Sequence, residues 1–212
     1  MDLLQDYLKY SLALFAILDP LSAVPIFLSL TGEYSKQEKN ATLRTTFLTI
    51  FFVLIVSSIV GLKILDVFST NLNAFRIAGG LVLMQVAFGL LNAESTSQRH
   101  TDEEHQEALS KSTIGAVPLG IPLISGPGAI TSVILKSEEM TTWQGKAVVY
   151  MAILTVSLIS VLILKSSGFF GRLLGVTGIN IVSRIMGLIV AAIAVQLIIG
   201  GINDIYPALK SI

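Results

Sequence analysis

A chain of 212 residues that is 53% hydrophobic and only 13% charged, with a mean hydropathy of +0.78, is too apolar for a soluble domain of its length and reads as an integral membrane protein. Basic and acidic residues balance at 14 each, so no basic face recommends nucleic acid as a partner. The absence of cysteine excludes structural disulfides, thiol catalysis and cysteine-rich metal sites.

In chain order, the first apolar run spans Ser11 to Leu30 and is broken only by Asp19. Its leader carries Asp2 and Asp6 beside Lys9, and no small-residue cleavage site follows a short apolar core, so it is read as a first helix rather than a secretory signal. Further runs fall at Thr45 to Leu62, Ile77 to Leu91, Ser112 to Leu135, Ala147 to Leu164 and Ile185 to Asn203. Six spans of roughly 20 residues, flanks included, fit these runs, and none shows the alternation that a barrel strand needs. The predicted fold is all-α and polytopic. Between the third and fourth spans, residues 93–111 form a polar connector whose His100 and His105 lack the i, i+4 spacing of a zincin helix, so it reads as a solvated loop or short surface helix with no metal site. Ser166 to Gly178, with Gly168, Gly171, Gly175 and Gly178, is expected to be a flexible connection between helices five and six.

The chain repeats itself. Pro20-Leu21-Ser22-Ala23-Val24-Pro25 returns 102 residues later as Pro122-Leu123-Ile124-Ser125-Gly126-Pro127. Arg76-Ile77-Ala78-Gly79 returns as Arg184-Ile185-Met186-Gly187, and Gln85 and Gln196 both stand among apolar residues, although not in identical register. One membrane domain, 1–212, is thus expected to comprise repeat one (11–92), the connector and repeat two (112–203). Copies with three spans each enter the membrane from opposite sides, the inverted arrangement in which broken helices meet near the midplane of secondary transporters.

A proline in a helix interior costs roughly 3 kcal/mol, and both cassettes lie near mid-bilayer, so helices one and four are expected to be broken there. Pro20 and Pro25 withhold the usual donors from the carbonyls of Ala16 and Leu21, and Pro122 and Pro127 do the same for Pro118 and Leu123. Freed carbonyls suit an ammonium group or cation, while the resumed half-helices present N–H groups and a positive dipole end to a carboxylate. That complements a small zwitterion. The candidate binding residues are Asp19, Pro20, Leu21, Ser22, Ala23, Pro25, Pro122, Leu123, Ser125, Gly126, Pro127 and Gly128; close helix packing is the alternative use of the small ones. Asp19 is the only acid deep in a span, serving either as a proton-coupling group or as a cap on the broken helix. Arg76, Gln85, Arg184 and Gln196 are candidates for the access pathway, with snorkelling and interhelical adhesion as the alternatives.

Asp19-Pro20-Leu21 with Pro25, Phe75-Arg76-Ile77-Ala78-Gly79-Gly80, Val117-Pro118-Leu119 followed by Gly126-Pro127-Gly128-Ala129-Ile130, and Ser183-Arg184-Ile185-Met186-Gly187 together resemble the MarC/SnatA family over nearly the whole chain. The resemblance implies a six-span inner-membrane protein, with transport of small neutral amino acids such as glycine and alanine ascribed to some members. It also implies that Asp or Asn stands before the first proline, which weakens an obligatory proton role for Asp19. The expected function is therefore secondary transport of a small neutral amino acid by alternating access, without a cofactor or catalytic residue. Proton or sodium coupling, import against export, and oligomeric state stay open. A channel or passive facilitator is the alternative, followed by a membrane enzyme acting on a lipid, which lacks any His, Cys or paired acids within spans. Lys and Arg near the span ends number eight on one side and six on the other, which favours both termini on the periplasmic side.

Overall fold

The computed structural model describes residues 3–92 and 124–206, and they form seven helices. These are α1 (Leu3–Leu18), α2 (Ala23–Leu30), α3 (Lys36–Val67), α4 (Leu72–Leu91), α5 (Pro127–Glu139), α6 (Trp143–Lys165) and α7 (Ser167–Ile205). No strand occurs among the described residues. Four of the helices, α3, α4, α6 and α7, are long and apolar enough to cross a membrane, and α1 with α2 makes a fifth candidate bent by 53° at its break. Pro122, Leu123 and the 93–111 connector lie outside the described residues.

Local chemistry sets the helix starts. Ser35 caps α3 reciprocally: its Oγ accepts from the Glu38 amide at 3.3 Å, and its own amide donates to Glu38 Oε2 at 2.8 Å. Asn71 caps α4 and Thr142 caps α6, each accepting a backbone N–H in the first turn. At about 1.5 Å per residue, the 32 residues of α3 reach roughly 48 Å, so its ends extend beyond a hydrocarbon layer of about 30 Å. Phe52, Leu81, Leu158 and Leu188 point outward and remain exposed, as lipid-facing residues do, while Leu14, Ile50, Leu83, Val149 and Val190 close the interior.

The glycine-rich connection expected at Ser166 to Gly178 is instead helical. Ser167 to Leu174 continues the chain as helix, and only Gly175 departs, with φ +59° and ψ −177°, before the helix resumes to Ile205. A single residue in a conformation open essentially to glycine is enough to turn the chain, so the neighbouring glycines are not needed as flexible points. Arg184 consequently lies nine residues beyond the kink. Gly175→Ala is expected to cost about 1–3 kcal/mol through that dihedral strain alone, because no atom approaches the site a Cβ would occupy. Thermal unfolding in detergent checks it.

Helix packing follows a regular scheme. α4 and α7 make the most extensive contact, and they run antiparallel, since Gly201 meets Asn73 and Ile77 while Gly187 meets Ala87 and Leu91. α1 packs on α6 as α3 packs on α5; α4 packs on α5 as α1 and α2 pack on α7; and α3 touches α6. Close approach of α4 and α7 depends on absent side chains. A Cβ on Gly80 would lie 2.9 Å from the Ala194 carbonyl oxygen, on Gly187 3.1 Å from that of Ala87, and on Gly201 2.8 Å from that of Asn73. Small residues let backbones meet in this way where lipid supplies no hydrophobic drive.

Candidate functional site

The break between α1 and α2 is built from its own sequence. The Asp19 amide still donates to the Phe15 carbonyl at 3.0 Å, but Pro20 has no N–H to continue the ladder. Asp19 adopts φ +37°, a left-handed conformation that short polar side chains tolerate best. Ser22 N–H then donates to the Asp19 carbonyl at 3.2 Å, and Val24 N–H to the Leu21 carbonyl at 3.1 Å. The Leu21 carbonyl, expected to be freed by Pro25, is thus occupied by the tight turn.

Pro25 and Pro127 cost less than the sequence implies. Pro25 falls in the first turn of α2, and Pro127 is the first residue of α5 after the cap Gly126. The N–H groups of a first helical turn have no intrahelical acceptor, so proline there removes no bond. Among the described prolines of the two cassettes, only Pro20 sits in a break itself, where it is buried.

The side chains of the break are linked. Asp19 is only 6% exposed, and its carboxylate accepts from the Ser22 hydroxyl. Ser22 Oγ also lies 2.6 Å from Ser183 Oγ on α7. Since Ser22 has one hydroxyl proton and gives it to Asp19, Ser183 must donate to Ser22, making a directed chain from α7 through Ser22 to the carboxylate. Asp19 stands just ahead of α2, whose N-terminal dipole end favours a negative charge. The arrangement places a buried acceptor and two hydroxyls where two helices meet a third.

The other sequence candidates distribute as follows. Leu21 and Ser22 are half-buried, Ala23 is buried, and Pro25 is exposed on α2. In the second cassette Ser125 is fully buried, Gly126 is half-buried, Pro127 is exposed and Gly128 is buried. A Cβ on Gly128 would meet Leu83 Cδ2 at 2.8 Å, so that glycine makes room for a helix α4 side chain. Gly79 similarly accommodates Thr131 of α5. Gln85, Gln196 and Arg184 occupy exposed positions on α4 and α7 and lie outside the Asp19–Ser22–Ser183 chain. Arg76 is ion-paired: its Nη1 is 2.8 Å from Asp204 Oδ2 and its Nη2 is 3.7 Å from Glu139 Oε1.

Ser183 is the residue that sequence reasoning left out of the site. Its signal was available, because it opens the Ser183-Arg184-Ile185-Met186-Gly187 motif and shares the buried face of α7 with Gly187, four residues on. A second polar tie, Tyr7 Oη donating to Thr155 Oγ1 at 2.8 Å between α1 and α6, leaves no such signature in either segment.

A family model described as "MarC family integral membrane protein" matches residues 4–206. The chain belongs to the MarC family. Among its relatives are YvbG of Bacillus subtilis, 37% identical over 201 residues that cover 94% of this chain and 95% of the relative, and YhcE of Escherichia coli, 32% identical over 203 residues that cover 96% and 94%. A relative from Methanocaldococcus jannaschii is 36% identical over 210 residues, covering 99% and 92%. All three are called UPF0056 membrane proteins, a name that states no activity. No solved structure gives a significant match. Family membership and the apolar helices make this a multi-pass membrane protein.

Proposed function

We propose that this MarC-family protein is a secondary transporter of small neutral amino acids, of the glycine and alanine type, in the bacterial or archaeal inner membrane. The observation that carries the reading is the Ser183–Ser22–Asp19 chain at a helix break enclosed by other helices. A buried carboxylate with two hydroxyls suits an ammonium group, which can replace Ser22 as donor to Asp19. The second cassette offers the complement. α5 starts at Gly126 without a side-chain cap, and its dipole end suits the substrate carboxylate. Sequence supports that polarity, since Ile121 stands where repeat one has Asp19.

Alternating access between two inverted three-helix repeats accounts for the packing scheme. Exchanging the repeats turns the α2–α6 contact into α3–α5 and the α2–α7 contact into α4–α5, and leaves α4–α7 and α3–α6 unchanged. The spacing of 108 residues between Arg76 and Arg184 also links Leu90 to Ile198, and these two occupy places that match to within one residue: Leu90 lies against Gly187, and Ile198 against Gly80, next to Gly79, the counterpart of Gly187. A two-fold axis in the membrane plane, passing between α4 and α7, generates such pairs. Residues 11–92 and 112–203 are then the moving halves, and the Lys and Arg distribution favours both termini on the periplasmic side.

The test is uptake and exchange of labelled glycine, alanine and serine by purified protein in liposomes, with and without proton or sodium gradients. Saturable exchange of at least one is expected, and the gradients identify the coupling ion. Folded protein that exchanges none of them would sink the assignment.

A further inference from the structure

At one end of the bundle, four helices from both repeats converge on charged groups. Asp204, near the end of α7, binds Arg76 of α4 at 2.8 Å, and the arginine stem passes 3.7 Å from the site a Cβ on Gly200 would occupy. Glu139, the last residue of α5, lies 3.7 Å from Arg76 Nη2 and 3.0 Å from Lys136 Nζ. Lys136 in turn stands 5.9 Å from the centre of the Tyr10 ring on α1. The Arg76 side chain is only 16% exposed, against 38% for Asp204 and 42% for Glu139, so the arginine is the more withdrawn member of the cluster.

The two carboxylates do different work. Arg76 and Asp204 belong to α4 and α7, which are locked backbone to backbone at Gly80, Gly187 and Gly201; their ion pair lies within a unit that has little freedom to part. Glu139 and Lys136 belong to α5, which continues the second cassette and packs on α4 and α3 through side chains fitted to Gly79 and Gly61. Asp204 therefore holds the arginine fork in place, and Glu139 is the partner that arrives and leaves with α5.

We propose that Arg76 and Glu139 form an ionic latch that holds α5 against the α4–α7 pair and closes the aqueous route to the binding site from this end, with Asp204 as the positioning residue and the Lys136–Tyr10 contact tying α1 to the same closure. The proposal rests on the alternating-access reading. Ionic closure at a half-exposed site is weakened by screening salt and by neutralising either partner.

The chain has no cysteine, so a single introduced thiol reports access without background. Ser22→Cys places it at the half-buried centre of the site, and Lys63→Cys, at an exposed position near the end of α3 and on the Arg76 side, marks in a separate sample which membrane face is being probed. Labelling with a membrane-impermeant maleimide is compared between intact cells and inverted vesicles. Glu139→Gln, a change at a half-exposed helix end, is expected to raise the Ser22→Cys labelling rate from the Arg76 face about tenfold. Raising salt from roughly 0.1 to 1 M is expected to raise it in the unmodified background and to have little effect once Glu139 is neutralised. An unchanged rate from that face, or an equal rise from both faces, overturns the latch while leaving amino acid exchange intact as a separate result. A rise confined to the Arg76 face, together with no amino acid exchange by protein in which Ser22 is intact, upholds the latch and sinks the substrate assignment.

Discussion

Asp19→Leu is expected to reduce amino acid exchange by about 10- to 150-fold, whereas Asp19→Asn retains most of it. Two physical demands meet at this residue. Its backbone takes φ +37°, which Asn and Asp accept through local polar contacts and Leu resists. Its side chain accepts the Ser22 hydroxyl in a buried setting, and a hydrogen bond to a charged group is worth about 1.5–3 kcal/mol, the factor quoted for loss of the acceptor. Asparagine satisfies both demands with its amide oxygen but cannot carry a proton as a carboxylate does. Exchange by Asp19→Asn protein at near-normal rate would therefore exclude obligatory proton carriage by this side chain. Failure of Asn and Leu variants alike, with both proteins monodisperse, would assign Asp19 the charge-dependent role instead. Ser183→Ala belongs to the same series, because it removes the donor that orients Ser22 and leaves the carboxylate in place. A smaller loss is expected for it, about tenfold.

The second large effect concerns the α4–α7 seam. Gly187→Leu and Gly201→Leu are expected to prevent recovery of folded protein. Even the first added carbon would come within 3.1 Å of the Ala87 carbonyl oxygen or 2.8 Å of that of Asn73, and backbone cannot swing aside as a side-chain tip can. Overpacking costs about 1–3 kcal/mol for modest additions, and a whole isobutyl group at a backbone contact exceeds that range. Gly187→Ala and Gly201→Ala should unfold measurably earlier on heating in detergent. Gly168→Ala is the control, since no atom lies within 4 Å of its added Cβ, and alanine there should hold the melting temperature or raise it slightly. Equal melting for all three alanine variants would mean that α4 and α7 separate more readily than their packing implies.

Much of this architecture is legible in the sequence. Long apolar runs locate α3, α4, α6 and α7, because the bilayer sets both the minimum length and the required composition. Ser35 with Glu38, three residues on, announces the start of α3 by the reciprocal cap that pair makes. The break after Leu18 follows from Asp19-Pro20, where one residue can leave the helical region and the next cannot donate. Helix ends are less legible. α3 extends well beyond its apolar run because Lys36, Arg44 and Lys63 favour helix as readily as the residues between them, once their side chains can reach the interface. Ser167 to Leu174 is helical despite its glycines for a related reason: glycine weakens a helix by about 1 kcal/mol, which membrane packing readily overrides.

The site itself divides along the same line. Residues that define the break are local in sequence and can be found there. Ser183 acts across 161 residues on Ser22, and Asp204 across 128 on Arg76, and no spacing rule connects such pairs. Repetition narrows the search without completing it. The Arg76 and Arg184 motifs mark the two helices that pack together, yet Arg76 enters an ion cluster while Arg184 sits exposed, because Asp204 and Glu139 are not part of the repeated pattern.

Counterflow of alanine in proteoliposomes tests the central claim most directly. Vesicles loaded with a high concentration of unlabelled alanine and diluted into a trace of labelled alanine should accumulate label transiently above its equilibrium level, because a carrier reorients with substrate bound and returns with whichever molecule it meets. The overshoot should be lost in Asp19→Leu. Label that rises only to equilibrium, at a rate indifferent to the unlabelled pool, would contradict alternating access and make the broken helices the walls of a pore.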